Sequence, residues 1–319
     1  MLSSKYKKLT KLTKITISAL VLELLFTPSL YSKTFNLPEH GDIVGNILKV
    51  SPDKLQPEDN FLTISERYGV GFHELEEANP GYNPWSPSYG DLIIPQRYVL
   101  PKTRKGIVIN LAELRLYYFP EGSGQVITYP IGIGKKDWGT PVVNTAVTSR
   151  VQNPTWTVPE SIKQEYKERG EKIADSIPPG PNNPLGKYVL RLAAAGYLLH
   201  GSNEEVGVGL RVSHGCIRLF NPDIKNLYNI VPIGTPVRII NEPYKVGSDG
   251  KNIYLEAHKP LSEDSETFSY KPELIKSKLA DLGIGYKIDW NATESAAGEL
   301  LGIPVSIGNA RYVNSLLED

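Results

Sequence analysis

The 319-residue sequence is poor in cysteine and balanced in charge. Its single cysteine, Cys216, excludes an intramolecular disulfide and therefore a disulfide-stapled scaffold. It contains no Cys-x-x-Cys pair and no paired-histidine spacing, the patterns that are typical of zinc sites. The 35 Lys and Arg residues equal the 35 Asp and Glu residues, so nothing in the charge indicates binding to nucleic acid.

Long apolar runs are also lacking. The apolar stretch at residues 15–26 is interrupted by Glu23 and is too short for a comfortable membrane-spanning helix. Because five lysines precede it and residues 27–32 can hold a cleavage site, we predict a secretory signal peptide over residues 1–32. Retention of this segment as an uncleaved anchor is the alternative. A lipoprotein anchor is excluded because no cysteine directly follows the apolar stretch. Without these residues the formal net charge is −4.

What the sequence does contain is a thiol flanked by imidazoles. His214 lies two residues before Cys216, and His200 lies sixteen before it. A free cysteine has a pKa of about 8.5, and the thiolate is the attacking form, so a nucleophile site must lower that pKa or supply a base. His200 follows an apolar run typical of a strand end and is our candidate base. The hypothesis requires a sulfur that is ionised and open to substrate.

Neighbouring residues have supporting roles in this hypothesis. Gly215 allows backbone conformations that other residues resist, so N–H groups of Gly215 and Cys216 can point at a developing oxyanion. His214 is too close in sequence to be an obvious base and is expected to shape the loop or add positive potential. Arg218 can balance a substrate carboxylate or hold the loop through carbonyl contacts.

Two other interpretations of these residues remain open. A lone cysteine is most often a small buried hydrophobe. His200, His214 and Cys216 are also three ligand types that suit zinc, although the spacing favours thiol catalysis.

Together the motifs His200-Gly201-Ser202 and Ser213-His214-Gly215-Cys216-Ile217-Arg218 resemble the signature of the L,D-transpeptidases, the YkuD-type catalytic domain. The resemblance covers residues 104–241, including residues 115–120, 129–134, 154–159 and 178–186. These longer stretches are similar to the Gram-negative branch that contains the Braun-lipoprotein-anchoring and cross-linking enzymes.

This resemblance implies a mainly β (α+β) fold with a β-sandwich catalytic domain. It implies that Cys216 is the nucleophile, that His200 is the proton donor and acceptor, and that His214 and Gly215 form the loop and oxyanion site. Arg218, Gly201, Ser202 and Ser213 are then expected to bind substrate. No metal or organic cofactor is implied, and carbapenems are expected to acylate Cys216.

The implied substrates are peptidoglycan stem peptides and glycan, in the periplasm. The acyl acceptor is expected to be another stem, giving 3–3 cross-links, or an amine of an outer-membrane protein or lipoprotein. An L,D-carboxypeptidase that uses water, and a non-catalytic wall-binding scaffold, are the alternatives. No nucleic-acid partner is expected. Contact with the membrane is expected only if the signal segment remains uncleaved.

Residues 42–97 resemble a LysM module, a small βααβ glycan-binding unit. Phe61, Ile64 and Tyr68 fall on one helical face, and a second short helix ends at Asn79-Pro80. We therefore expect this module to dock on peptidoglycan; a spacer without affinity is the alternative, because residues 82–89 are an insertion.

The remaining segments are assigned from periodicity and turn residues. Residues 33–58 are interpreted as a connecting arm, residues 161–168 as a helix, and residues 176–186 as an irregular lid segment. Asn221 is predicted to cap a helix with proline at its first position. Residues 242–319 form a C-terminal extension of unknown role, with a predicted strand at 253–257 and a predicted helix at 272–283.

Overall fold

The computed structural model describes residues 32–88, 90–204, 206–264 and 270–311. The predicted signal peptide lies outside them except for Ser32, whose backbone N–H donates to Asp223 Oδ1 at 2.9 Å. None of the helices in this part of the chain has the length and apolar character needed to cross a membrane.

The strands within the described residues are β1 (Lys33–Asn36), β2 (Ile43–Val50), β3 (Leu92–Val99), β4 (Gly106–Asn110), β5 (Arg115–Phe119), β6 (Gln125–Pro130), β7 (Ile133–Gly134), β8 (Val143–Gln152), β9 (Trp156–Thr157), β10 (Ser176–Ile177), β11 (Tyr188–Leu192), β12 (Leu198–His200), β13 (Arg211–Ser213), β14 (Ile217–Arg218), β15 (Pro236–Ile240), β16 (Tyr244–Ser248), β17 (Asn252–Ala257), β18 (Gly285–Ile288) and β19 (Pro304–Arg311). The α-helices are α1 (Phe61–Tyr68), α2 (Phe72–Ala78), α3 (Glu160–Glu168), α4 (Asn221–Ile230), α5 (Pro272–Ala280) and α6 (Trp290–Glu299). The fold is mainly β, as predicted.

The largest sheet has nine strands in the order β1-β6-β5-β4-β15-β8-β11-β12-β14. Its centre is buried on both faces. Ile107 and Ile109 of β4 pack into one hydrophobic core, whereas Val108 packs into a second. Along β5, Leu116 and Tyr118 pack into the first core and Tyr117 and Phe119 into the second, and Arg115 is fully buried.

Residues 33–58 are not a connecting arm, and this prediction was wrong. Residues 33–36 form the edge strand β1, which pairs antiparallel with β6. Residues 43–50 form β2, which pairs along its full length with β3. Both strands are held by partners about 40 to 95 residues away in the chain, so flanking prolines and glycines mislead a local interpretation.

The N-terminal module has α1 and α2 between its two strands. Asn60 caps α1 by accepting from the backbone N–H groups of Leu62 and Thr63, and Gly69 ends the helix with a left-handed φ of 65°. Phe61 and Ile64 are fully buried in the module's own core. The order of elements is the βααβ order expected of this segment.

The C-terminal extension has its own four-stranded sheet, in the order β16-β17-β19-β18. Helices α5 and α6 pack on it through Ile275, Leu279 and Ala296. The predicted strand and helix of this extension are confirmed, but β16, β18, α6 and β19 were not predicted because their short, interrupted apolar patterns indicate no element by themselves.

A buried network of charged side chains joins the three parts of the molecule. His258 lies between two carboxylates, with Nδ1 2.8 Å from Glu77 Oε2 and Nε2 2.9 Å from Glu256 Oε1. Lys245 Nζ lies 2.8 Å from Glu256 Oε1 and donates to Glu113 Oε2 at 2.5 Å. Because Glu77 belongs to α2 and Glu113 follows β4, the extension is fastened to both the module and the large sheet.

Candidate active site

His200 and Cys216 lie on neighbouring strands. His200 ends β12, Cys216 immediately precedes β14, and the two strands pair in parallel with His200 opposite Arg218. Side chains alternate between the faces of a strand, and Leu199 and Ile217 point into the core. The side chains of His200 and Cys216 are therefore diagonal neighbours on the opposite face.

That face is the floor of a cavity of about 620 Å³. Cys216 is partly exposed there, so the structure does not bury it as a small hydrophobe. Residues 155–185, which we name the lid, line one part of the cavity with Trp156, Ile162 and Tyr166. Nearly all of the predicted irregular segment, residues 176–186, belongs to the lid. The prediction was wrong for its first two residues, which form β10 and pair with β9.

The orientation of His200 is fixed by its neighbour. Nδ1 of His200 lies 2.6 Å from the backbone carbonyl oxygen of Gly201. Because a carbonyl oxygen can only accept, Nδ1 carries the proton and Nε2 is left as the acceptor nitrogen. His200 therefore has the tautomer that a base for the thiol needs.

The protonation states of the pair follow from its surroundings. Burial, assisted by the charge of Arg218, lowers the pKa of His200 to about 4. Burial also raises the pKa of the Cys216 thiol above its ordinary value, against the smaller opposing effects of a backbone hydrogen bond at Leu198 and of the Arg218 charge. These shifts favour a neutral imidazole and a protonated thiol at rest, so the site offers a base for the thiol instead of the ionised sulfur that the sequence led us to expect.

Gly201 and Ser202 are held by a residue that the sequence analysis assigned to another role. Asn221 Oδ1 accepts from the Ser202 backbone N–H at 3.1 Å, and Asn221 Nδ2 donates to the Ser202 carbonyl at 3.0 Å. A Cβ on Gly201 would lie 2.3 Å from Asn221 Oδ1. The helix-capping prediction for Asn221 was wrong, because α4 begins at Asn221 itself and Phe220 takes the N-cap position.

The cysteine loop is braced from both sides. Gly215 has a left-handed φ of 98°, and its carbonyl accepts from Thr140 Oγ1 at 2.8 Å. Thr140 Oγ1 in turn accepts from the Gly134 backbone N–H at 3.1 Å. The Ser213 hydroxyl donates to the Cys216 carbonyl at 2.6 Å, so Ser213 holds the loop as well as lining the cavity. The sequence analysis missed Thr140.

His214 is joined to the lid. Its Nε2 lies 2.7 Å from Glu165 Oε2 on α3, and its ring packs edge-to-face on Trp138 with 4.9 Å between centroids. The hydrogen bonds from His214 and then from Lys135 lower the pKa of Glu165. Glu165 was also missed, because it lies 49 residues before its partner.

Arg218 lines the cavity and holds a loop. Its Nη1 donates to the Val206 carbonyl at 3.0 Å, and its buried Nε has no partner within the described residues. A Cβ on Gly207 would lie 2.6 Å from Nη1 and would have to displace the guanidinium, and the φ of +123° at this position also favours glycine. Both roles considered for Arg218 are compatible with this position.

The zinc alternative is not supported by the geometry. Among the described residues the close group of potential metal ligands is Glu113, Glu256 and His258, in the buried network. Lys245 already places its ammonium against both carboxylates there. His214 Nε2 faces Glu165 instead of the thiol.

A thiol beside an imidazole of fixed tautomer, at the floor of a covered cavity, defines the site of a cysteine-dependent acyl-transfer enzyme. The comparisons with known proteins name the class more closely. Residues 104–239 match the family model of the L,D-transpeptidase catalytic domain, YkuD.

The relatives agree. The chain is 41% identical to the probable L,D-transpeptidase ErfK/SrfK of Escherichia coli K12, over 86% of this chain and 91% of that protein. It is 48% identical to the probable L,D-transpeptidase YcfS of the same organism, over 76% of this chain and 79% of that protein. A solved L,D-transpeptidase 3 from Mycobacterium tuberculosis is 17% identical over 49% of this chain and 72% of that one, with a TM-score of 0.31.

The chain belongs to the L,D-transpeptidase family. It is an L,D-transpeptidase, with peptidoglycan as its substrate class.

Proposed function

We propose that Cys216 takes the acyl group of a peptidoglycan tetrapeptide stem, at the bond between the L-centre of residue three and the D-Ala at position four. The observation that carries this proposal is the partly exposed thiol at the cavity floor, on the same face as His200.

The reaction has two acyl-transfer steps. His200 Nε2 removes the thiol proton as the sulfur attacks the carbonyl carbon, and the imidazolium then gives that proton to the departing D-Ala amine. In the second step an amine attacks the thioester, His200 accepts its proton, and the thiolate leaves and regains a proton. Backbone N–H groups at Gly215 and Cys216 stabilise both tetrahedral oxyanions.

The acceptor is an amine in this proposal. A diaminopimelate side chain of a second stem gives a 3–3 cross-link, and an amine of an outer-membrane protein anchors that protein to the wall. Water as acceptor would make the enzyme an L,D-carboxypeptidase.

Mass spectrometry of the purified protein with a tetrapeptide muropeptide tests the proposal. We expect loss of D-Ala, a thioester adduct on Cys216, and a cross-linked product when a second stem is present. Cys216→Ala should remain folded and form no adduct. Turnover by Cys216→Ala would overturn the nucleophile assignment, and a free tripeptide as the only product with amine present would assign the carboxypeptidase activity.

We further infer that the protein works in the periplasm and that residues 42–97 dock on glycan. Trp85 supports the docking surface, because its indole is 66% exposed on the insertion beside α2, where its ring lies 6.2 Å from that of Phe72. Binding to purified sacculi should weaken in Trp85→Ala and remain in the exposed apolar control Ile233→Ala. Equal binding by both variants would leave the module as a spacer.

A further inference from the structure

The lid is attached to the cysteine loop through one carboxylate. Glu165 Oε2 faces His214 Nε2 at 2.7 Å, and Glu165 Oε1 accepts from Lys135 Nζ at 3.2 Å. Arg169 Nη1 also reaches Oε1, at 3.3 Å, but it belongs to the lid itself. The bonds to His214 and Lys135 are therefore the ones that cross the cavity wall.

Both partners of Glu165 are tied to the nucleophile. His214 is two residues before Cys216, and the backbone N–H of Lys135 donates to the Ser213 carbonyl at 3.0 Å. Trp138 fixes the other side of the His214 ring. A substitution at Glu165 would thus disturb the cysteine loop at His214 directly and at Ser213 through Lys135.

The two imidazoles of the site face opposite kinds of group. His200 Nδ1 faces a carbonyl, which leaves Nε2 as the acceptor nitrogen, whereas His214 presents Nε2 to a carboxylate. A carboxylate accepts only, so Nε2 of His214 carries a proton and donates it to Glu165. This hydrogen bond joins the cysteine loop to the lid.

Helix α3, which contains Glu165, also contributes side chains to the lining of the cavity. Ile162 and Tyr166, on either side of Glu165 in sequence, line the cavity over Cys216. Holding Glu165 against His214 thus holds these two side chains over the thioester. Water reaches a thioester more readily when such a cover opens.

We propose that Glu165 is a positioning residue for acyl transfer: it joins the lid to the cysteine loop through His214 and Lys135, and so holds the cover over the thioester while the amine attacks. The inference rests on the proposed thioester at Cys216. It assigns Glu165 no contact with substrate.

Glu165→Ala tests the proposal, with Glu168→Ala as the matched control. Glu168 lies on the same helix, is exposed, and bonds only to Gln164 among the described residues. We expect Glu165→Ala to lower the kcat of amine transfer roughly ten- to a hundredfold and to shift the product ratio from cross-link toward free tripeptide. Glu168→Ala should keep both values of the parent enzyme.

A second measurement separates positioning from unfolding. Denaturant unfolding of Glu165→Ala, followed by tryptophan fluorescence, should show a cooperative transition close to that of the parent enzyme, which a variant that fails to fold would lack. Glu165→Gln, which retains an oxygen acceptor for His214, should restore part of the transfer rate. An unchanged kcat and product ratio in Glu165→Ala would overturn the inference, whereas a parent enzyme without a thioester adduct would overturn the proposed function instead.

Discussion

Arg115 and Glu74 form a two-point ion pair inside the molecule. Nε and Nη2 of Arg115 donate to the two carboxylate oxygens of Glu74, each at 2.6 Å. Arg115 also donates to Thr128 Oγ1 at 2.8 Å and lies 4.3 Å from the centre of the Tyr98 ring. Since Glu74 is in α2 and Arg115 in β5, this pair joins the N-terminal module to the catalytic sheet.

Removing one partner of this pair should destabilise the protein strongly. Arg115→Met leaves the Glu74 carboxylate buried without its cation, which costs about 3–5 kcal/mol. Denaturant unfolding measures this change. The double variant Arg115→Met/Glu74→Leu should lose less than the sum of the single variants. Lys102→Met, which removes an exposed pair with Asp281, is the control and should unfold like the parent. A parent-like midpoint for Arg115→Met would contradict the prediction.

Stability should fall as the pH rises above neutrality. Burial alone would lower the pKa of His258, but the carboxylates of Glu77 and Glu256 prevail and raise it to about 10. A raised folded pKa contributes stability that is complete below about pH 6.5, the unfolded value, and is lost as the pH rises toward 10. The unfolding free energy between pH 6 and pH 10 tests this.

His258→Gln is the companion variant for that experiment. It should unfold at lower denaturant concentration and show a shallower decline with pH. Some decline should persist, because Glu76 and Glu77 overcome the effect of burial and raise the pKa of His73 to about 9. An unchanged slope in His258→Gln would assign the pH dependence to other groups.

The pH dependence of acylation should reflect a neutral catalytic pair. With the pKa of His200 at about 4, kcat/KM for the donor stem should be level through neutral pH and fall only as the pH approaches 4. Arg218→Met removes the charge that helps to lower this pKa, so its acid limb should move to higher pH. Arg238→Met, outside the cavity, is the control. An acid limb near pH 6.5 in the parent enzyme would refute the buried neutral imidazole.

Thr140 should be needed for a correctly placed cysteine loop. Thr140→Val keeps the shape of the side chain but leaves the Gly215 carbonyl and the Gly134 N–H without their partner, at a cost of about 1–3 kcal/mol. We expect the acylation rate of Cys216 by a carbapenem to fall roughly tenfold or more. Thr235→Val, the same change at an exposed hydroxyl bonded to Pro232, should have the parent rate. Equal acylation rates in the two variants would show that Thr140 is not needed to position the cysteine loop.

The sequence was enough to predict the family and to single out Cys216 as the candidate nucleophile. A single cysteine with His200 and His214 at short spacing limits the chemistry, because these residues are few and their motif is contiguous. Local signals also determined α1, whose Asn60 cap and Gly69 end act within one turn of the helix. The role of Asn221 could not be determined in this way, since its side chain bonds to Ser202, nineteen residues earlier.

Only the tertiary structure decided how the site is held and how its protons are distributed. Glu165 meets His214 across 49 residues, Thr140 meets Gly215 across 75, and Glu77 meets His258 across 181. The periodicity of a local stretch does not predict such contacts, because it does not show which distant segment will pack against that stretch. The pKa of His200 is likewise set by its burial and by the charge of Arg218. Both influences act only in the folded protein, where β12 and β14 pair and bring His200 opposite Arg218.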